Sequence, residues 1–172
     1  MLPRLESDRL IIEPLSEAHF DFFVEMGSLM EVMKFLNGRP LEPAETIKEL
    51  EAHLNGSCLD ENLGLGMIRL KESGEPVGKC NLNIIRDYQK EVHVGYRLHP
   101  KHWKQGYALE VAQLLMNFGF RKLELPEIYG ITHPDNWASQ KVLLKAGMHF
   151  LDKRLAYDTT CKFFVKQNPL LL

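Results

Sequence analysis

The stretch His99–Ala108 (HPKHWKQGYA) places a glycine at the start of an amphipathic helix, directly after a predicted strand. Unpaired backbone N–H groups and the positive end of the helix dipole then point at one place. Gly106 has no Cβ, so an anion could approach the main chain closely, and Ala108 keeps the next turn slim. These features predict a phosphate or pyrophosphate site; the alternative is a plain turn before an ordinary helix.

A second polar cluster, His133–Ser139 (HPDNWAS), follows a predicted strand and opens a predicted helix. Asn136 and Ser139 are three residues apart and therefore lie one turn apart on the same helix face. An amide and a hydroxyl that face a common cleft can hold a ligand and donate a hydrogen bond to a leaving group. Asn136 can equally be a helix N-cap, which stabilises a helix by about 1 kcal/mol, and the two roles are compatible.

The strand that precedes the loop carries titratable side chains on one face. Alternation places three of its residues toward the core: Val92, Val94 and Tyr96. The opposite face then carries Glu91, His93 and Arg97. A carboxylate and an imidazole two residues apart can act as a general base or relay a proton through water. The alternative is a solvated strand face, and with the anion loop nearby the two interpretations stand level.

The elements that position these residues predict an α+β fold. A crossover from Leu98 to Ile128 requires one parallel pair in an otherwise antiparallel sheet. We expect a single domain over residues 1–172, with a mixed, mostly antiparallel sheet of about six to seven strands flanked by helices. Hydrophobic periodicity predicts strands at 9–13, from 65 to the turn at 72–75, and at 78–84, 92–98, 128–132, 149–156 and 160–165, and helices after Ser16, over 29–36, from Pro43, over 107–122 and after Asn136.

Composition excludes several classes of protein. The chain has 172 residues, 45% hydrophobic, with a formal net charge of -2, which does not favour nucleic acid or an anionic membrane as a partner. No apolar stretch of about 18 residues and no signal-peptide h-region is present, and there is no G-x-x-x-x-G-K-[ST] or G-x-G-x-x-G loop.

Cys58, Cys80 and Cys161 form no disulfide or metal motif, which is typical of a cytoplasmic protein. His99 and His102 lack a third ligand, so we expect no metal.

Taken together, these residues resemble the GNAT superfamily of acyl-CoA-dependent N-acetyltransferases, in particular its Rim-type branch, which includes enzymes that acetylate the N-termini of ribosomal proteins. The resemblance spans nearly the whole chain, through LESDRLIIEPLSEAHF, LGLGMIRLKESGEPVGKCNL, HVGYRLHPKHWKQGYALEVAQLLMNFGF and ITHPDNWASQKVLLKAGMHF. The family loop reads [QR]-x-x-G-x-[GA]; here Trp103 occupies its first position, whereas Gly106 and Ala108 fit.

The resemblance implies acetyl-CoA as the co-substrate. Its pyrophosphate would be held by the main-chain N–H groups of Lys104, Gln105, Gly106, Tyr107 and Ala108. The strand backbone at Arg97 and Leu98 would contact the pantetheine and the acetyl carbonyl. Asn136 would touch the pantetheine arm, and Ser139 would protonate the departing thiolate.

The general base stays open at this point. The family often has a glutamate two residues before the Gly-Tyr of this strand, where this chain has His93. The base is therefore His93, Glu91 or a water held between them. A base is needed because a primary ammonium (pKa about 10.4, or about 8 for an α-amine) must lose a proton before it attacks a thioester. Transfer is expected to be direct, without a cysteine nucleophile; Tyr157 and Asp158 are further candidates on the acceptor side.

We expect a protein N-terminal α-amine as the acceptor. The alternatives are a small amine, such as a polyamine, an amino acid or an aminoglycoside, and a non-catalytic acyl-CoA-binding module. A cationic acceptor would require an acidic cleft, for which four glutamates are candidates: Glu42, Glu45, Glu49 and Glu51. The apolar segment Pro169–Leu172 suggests a possible homodimer.

Overall fold

The computed structural model describes residues 1–55, 62–85 and 88–171. Eight strands form one sheet in the spatial order β1-β2-β3-β4-β5-β6-β8-β7. The strands are β1 Leu5–Glu6, β2 Leu10–Pro14, β3 Gly64–Leu70, β4 Pro76–Ile85, β5 Tyr88–Leu98, β6 Glu127–Thr132, β7 His149–Ala156 and β8 Thr159–Gln167.

Neighbouring strands run antiparallel, except that β5 and β6 are parallel. A parallel pair requires a crossover, and a 16-residue helix supplies it between these two strands. The helices are α1 Phe20–Ser28, α2 Met30–Met33, α3 Pro43–Leu54, α4 Tyr107–Lys122 and α5 Trp137–Lys145. Among the described residues, no helix is long and apolar enough to cross a bilayer.

Helices cover both faces of the sheet. On one face, Val111 of α4 is fully buried in a core with Ile68 of β3. On the other face, Phe23 of α1 and Leu50 of α3 pack with Met67. Met67 and Ile68 enter different cores because successive side chains of a strand point to opposite sides. A ligand site must therefore lie where strands end or separate.

The predicted α+β class, the parallel crossover and the bounds 107–122 and 149–156 are confirmed. The sheet has eight strands rather than six to seven, because β1 is a two-residue strand that pairs with β2 and is too short for an alternation pattern. The chain after Ser16 opens with a 3-10 turn, Glu17–His19, before α1 begins.

The helix predicted over 29–36 is wrong in length, since α2 ends at Met33. Three of the N–H groups that follow bond the Met33 carbonyl: those of Leu36, Asn37 and Gly38, at 3.0, 3.2 and 3.2 Å. These bonds close the segment as a turn, and Gly38 completes it with a φ of 69°.

Candidate active site

A cavity of about 520 Å³ opens where β5 and β6 separate. The two strands pair only at His93 with Tyr129 and at Val94 with Gly130, within the stretches 88–98 and 127–132 that the structure describes. Beyond these pairs the two strands do not bond each other, so backbone groups on their facing edges can bond a ligand, except the Leu98 carbonyl, which accepts from Trp103. The cavity is lined by four of the predicted site residues: His93, Arg97, Asn136 and Ser139.

The predicted coenzyme loop runs from the end of β5 to the first turn of α4. Lys104 and Gly106 have left-handed backbones, with φ of 62° and 83°, and Gly106 is the N-cap of α4. The Gly106 carbonyl accepts the first helical bonds, from Leu109 and Glu110 at 3.1 and 3.2 Å. A Cβ at Gly106 would meet only Arg9 Nη2, at 3.4 Å, so the space around it is open. The loop therefore fits an anion, since the first N–H groups of a helix have no partner within it.

Arg9 fixes this loop to the start of the sheet. Its Nη1 donates to the Gln105 carbonyl at 3.0 Å, and its Nε donates to the Glu110 carboxylate at 2.8 Å. Ser7 Oγ donates to the same carboxylate at 2.7 Å. No local sequence pattern singles out Arg9, because Glu110 is 101 residues away in the chain.

Trp103 holds the other end of the loop. Its indole Nε1 donates to the carbonyl of Leu98 at 2.8 Å, so the last carbonyl of β5 already has a partner within the chain. His99 Nδ1 accepts from the Lys101 N–H and caps the 3-10 turn that follows. Hydrogen bonds from Trp103 and Arg9 therefore hold the two ends of the loop. The left-handed backbones of Lys104 and Gly106 turn the chain between strand and helix.

His93 presents Nε2 to two polar groups of the cavity. Tyr157 Oη lies 3.3 Å from this nitrogen, and Asn81 Nδ2 lies 3.5 Å from it. An amide nitrogen can only donate, so its approach favours Nε2 as the acceptor of a neutral imidazole. Gly95, opposite Asn81, makes room for that amide because a Cβ there would overlap it. Burial lowers the pKa of His93 to about 4, which keeps the ring neutral near pH 7.

Glu91 lies apart from the cavity. Its two carboxylate oxygens accept from Arg154 Nη1 at 2.9 and 3.0 Å, and Arg154 Nε also binds Asp152 at 2.9 Å. Glu91 does not line the cavity, whereas His93 does. The structure therefore gives the two candidate bases different surroundings.

A hydroxyl pair lies on the opposite wall. Ser139 Oγ is 3.1 Å from Tyr96 Oη, and Asn136 Oδ1 accepts from the Ser139 N–H at 3.2 Å. Asn136 thus caps α5 and lines the cavity at once, as the spacing allowed. Burial raises the pKa of Tyr96 to about 12, so its hydroxyl keeps its proton at neutral pH. Sequence alternation placed Tyr96 in the core, and only the position of its hydroxyl shows that it reaches the cavity.

Two sequence expectations need correction. Cys161 lines the cavity, although no cysteine was expected near the site. Its Sγ lies 3.7 Å from the Ala156 carbonyl, and burial raises the pKa of the thiol, which leaves it protonated and weakly nucleophilic. Cys80 is buried in the core, and Cys58 lies outside the described residues.

The proposed acidic cleft is also not formed. Only Glu49 of the four glutamates lines the cavity, and Lys79 Nζ binds it at 2.9 Å. The other three are exposed: Glu42, Glu45 and Glu51. No group of three or more His, Cys, Asp or Glu side chains in the described ranges is arranged to hold a metal ion.

The structure combines a parallel strand pair that separates beside a cavity with a glycine loop that opens the helix after β5, although residues 98–108 do not themselves line that cavity. The sequence model of the acetyltransferase (GNAT) domain matches residues 9–149, more than four fifths of the chain. The chain belongs to the GNAT acetyltransferases and is an acyltransferase.

The relatives agree with this assignment. FsC-acetyl coenzyme A-N(2)-transacetylase of Aspergillus fumigatus is 31% identical, over 91% of this chain and 70% of its own length. An acetyltransferase of Agrobacterium tumefaciens has the same fold, with a TM-score of 0.84 at 24% identity over 97% of this chain and 95% of the other. RimL, a ribosomal L7/L12 α-N-protein acetyltransferase solved with coenzyme A, has a TM-score of 0.78 at 16% identity over 95% and 97%.

Proposed function

We propose that this protein is a Rim-like N-acetyltransferase that moves the acetyl group of acetyl-CoA directly to a primary amine, with a protein N-terminal α-amine as the acceptor. The observation that carries the proposal is the neutral imidazole of His93, whose Nε2 faces the cavity on β5, six residues before the loop begins at His99. The fold likeness to RimL supports the Rim-type branch and an N-terminal amine.

Binding relies on two parts of the chain. The amides of Lys104–Ala108 hold the pyrophosphate, because the left-handed turn at Gly106 exposes the N-terminus of α4. Asn136 and the part of β5 beyond its pairs with β6, at Arg97–Leu98, hold the pantetheine arm; the Leu98 carbonyl is already bonded to Trp103, so other backbone groups of this stretch make the contact. When bound, acetyl-CoA supplies a thioester carbonyl that a neutral amine attacks. A backbone N–H at the free edge of β5 stabilises the charge that develops on the carbonyl oxygen.

His93 is the general base. With a pKa of about 4 it does not compete for the proton of a free ammonium, which is lost to solvent before binding. It accepts a proton at Nε2 as the amine nitrogen bonds to carbon, when that nitrogen becomes strongly acidic. Tyr157 Oη, 3.3 Å away, can pass the proton on to solvent because Tyr157 is exposed.

Ser139 donates a hydrogen bond to the departing thiolate. A thiolate whose parent thiol has a pKa of about 8.5 needs only modest stabilisation to leave. Tyr96 keeps its proton at neutral pH and its Oη lies 3.1 Å from Ser139 Oγ, so it can donate to Ser139 Oγ while Ser139 donates to the thiolate, and no proton leaves either hydroxyl. The two hydroxyls thus form a short hydrogen-bonded chain on the cavity wall.

The test is release of free thiol from acetyl-CoA by the purified chain, with peptide N-terminal amines and small amines in parallel. We expect thiol release with a peptide, and mass spectrometry should locate the acetyl group on its α-nitrogen. Binding of acetyl-CoA without thiol release from any amine would contradict the proposal and indicate a non-catalytic acyl-CoA-binding module.

A small-molecule amine is the second candidate acceptor. The observation that favours it is the 31% identical relative, whose name describes an N(2)-transacetylase of FsC. In the same panel, efficient acetylation of small amines with no reaction at peptide termini would select this alternative.

A further inference from the structure

Arg97 brings a cation into the cavity without an ion-pair partner of its own. It lies opposite Lys79 in the β4–β5 register, on the same face as His93. Within residues 1–55, 62–85 and 88–171, its guanidinium makes one hydrogen bond, from Nη1 to Met33 Sδ at 3.9 Å, and no carboxylate forms an ion pair with it. A guanidinium has five N–H donors, so most of its bonding capacity is left for a ligand.

The charges around Arg97 do not balance. Three charged side chains line the cavity within the described part of the chain: Glu49, Lys79 and Arg97. Lys79 is buried and binds Glu49 at 2.9 Å, so these two form a pair. Burial lowers the pKa of His53 and of His93, which leaves both rings neutral near pH 7. Among Glu49, Lys79 and Arg97, one positive charge therefore remains, that of Arg97.

An excess cation in the cavity selects its ligand by charge. It repels polyamines and aminoglycosides, and it favours a neutral over a protonated amine beside it. The planar guanidinium matches a carboxylate, with which it can form two parallel hydrogen bonds. Burial also lowers the pKa of Arg97, although nearby Glu49 raises it, so an anionic ligand would compensate the desolvated charge.

We propose that the acceptor amine carries a carboxylate and that the Arg97 side chain binds it. This inference rests on the proposed function, since it names the class of amine that the same cavity takes. A carboxylate can come from an acidic residue at the start of a protein or from a free amino acid. Both present the same chemistry to Arg97.

The test uses matched acceptors with the full chain. One series is a set of peptides that differ only in having Glu, Gln or Lys at the second position; the other is free glutamate against glutamine. We expect kcat/KM to be at least about tenfold higher for the carboxylate member of at least one series, since a hydrogen bond to a charged group is worth about that factor. The series that shows the preference identifies the source of the carboxylate.

Two variants assign the preference to Arg97. Arg97→Gln should reduce the ratio of carboxylate to amide acceptor to near one, whereas Arg121→Gln, an exposed arginine of α4, should keep it. Calorimetry should show the same loss for the acidic acceptor added to the enzyme with coenzyme A, in the absence of turnover. Equal or better use of amide and lysine acceptors by the wild type would overturn the inference while leaving acetyl transfer intact; absence of any transfer would instead refute the proposed function.

Discussion

His93 differs from a solvent-exposed histidine in that burial sets its charge. Its pKa of about 4 lies below the usual 6.5, so the ring is neutral over the whole range in which an amine can react. Activity above pH 5 should therefore follow the ionisation of the acceptor amine, and protonation of His93 should add a second loss only near pH 4.

Replacing His93 with Ala should lower kcat by about 10²–10⁴, the usual contribution of a general base, with little change in acetyl-CoA affinity. Steady-state kinetics and calorimetry measure the two quantities, and thermal unfolding checks that the variant folds. Glu91→Gln is the matched comparison, because Glu91 binds Arg154 and lies off the cavity. A loss in Glu91→Gln as large as in His93→Ala would assign the base to Glu91.

The hydroxyls of Tyr96 and Ser139 should act as one unit. Each of Tyr96→Phe and Ser139→Ala should lower kcat by about tenfold, less than a typical general acid, because a thiolate leaves readily. The double variant should lose little more than either single one, since both changes break the same hydrogen-bonded chain. Tyr129→Phe removes a buried hydroxyl elsewhere and should keep kcat. Fully additive losses would mean that the hydroxyls act independently.

The loop before α4 depends on backbone conformation more than on side chains. Gly106 has a φ of 83° in open space, so Gly106→Val should strain the turn rather than create a clash. The Kd for coenzyme A should rise at least about tenfold by calorimetry, because the amides no longer point at one place. Gly74→Val introduces the same strain at a φ of 72°, also in open space, and should reduce stability while keeping the Kd. An unchanged Kd in Gly106→Val would show that the loop does not bind the coenzyme.

Arg9 should act as a positioning residue for the same loop. Arg9→Gln removes the donor to the Gln105 carbonyl and the bonds to Glu110, so coenzyme A affinity should fall by about three- to tenfold. Arg4→Gln is the control, since its side chain is similarly exposed (53% against 50%) and pairs with Glu6 away from the loop. Hydrogen exchange of the amides in 103–108 should quicken in Arg9→Gln alone. Equal effects of the two variants would mean that surface charge, not positioning, controls binding.

Much of the fold could be predicted because the sequence signals for its strands and helices are local. The bounds 107–122 and 149–156 follow from periodicity and turn residues, and the crossover follows from chain length between strands. The position of the loop before α4 could be predicted because a glycine between a predicted strand and an amphipathic helix is typical of a turn at the helix N-terminus. Alternation also placed His93 and Arg97 on one face of β5, where the cavity lies.

The rest depends on contacts between distant parts of the chain. Tyr157 meets His93 across 64 residues, where the β7–β8 turn with left-handed Tyr157 and Asp158 reaches the cavity. Cys161 enters the cavity through the same hairpin. Neither contact has a local signal, because it is set by the order of β6, β8 and β7 in the sheet.

The apolar end of the chain stays a prediction of self-association. Leu170 and Leu171 are 56% and 62% exposed, and Leu172 lies outside the described residues.

Over the whole molecule, acetyl transfer as proposed requires that the loop at one end of β5 binds a diphosphate and thereby aligns the reactive arm with His93. Calorimetric titration of the wild-type chain with coenzyme A and with pantetheine, which lacks the diphosphate, tests this requirement most directly. We predict one coenzyme A bound per chain and an affinity for pantetheine at least about 100-fold weaker, since the charge-assisted bonds to the diphosphate are lost. No heat with coenzyme A, or equal affinity for the two ligands, would contradict the account.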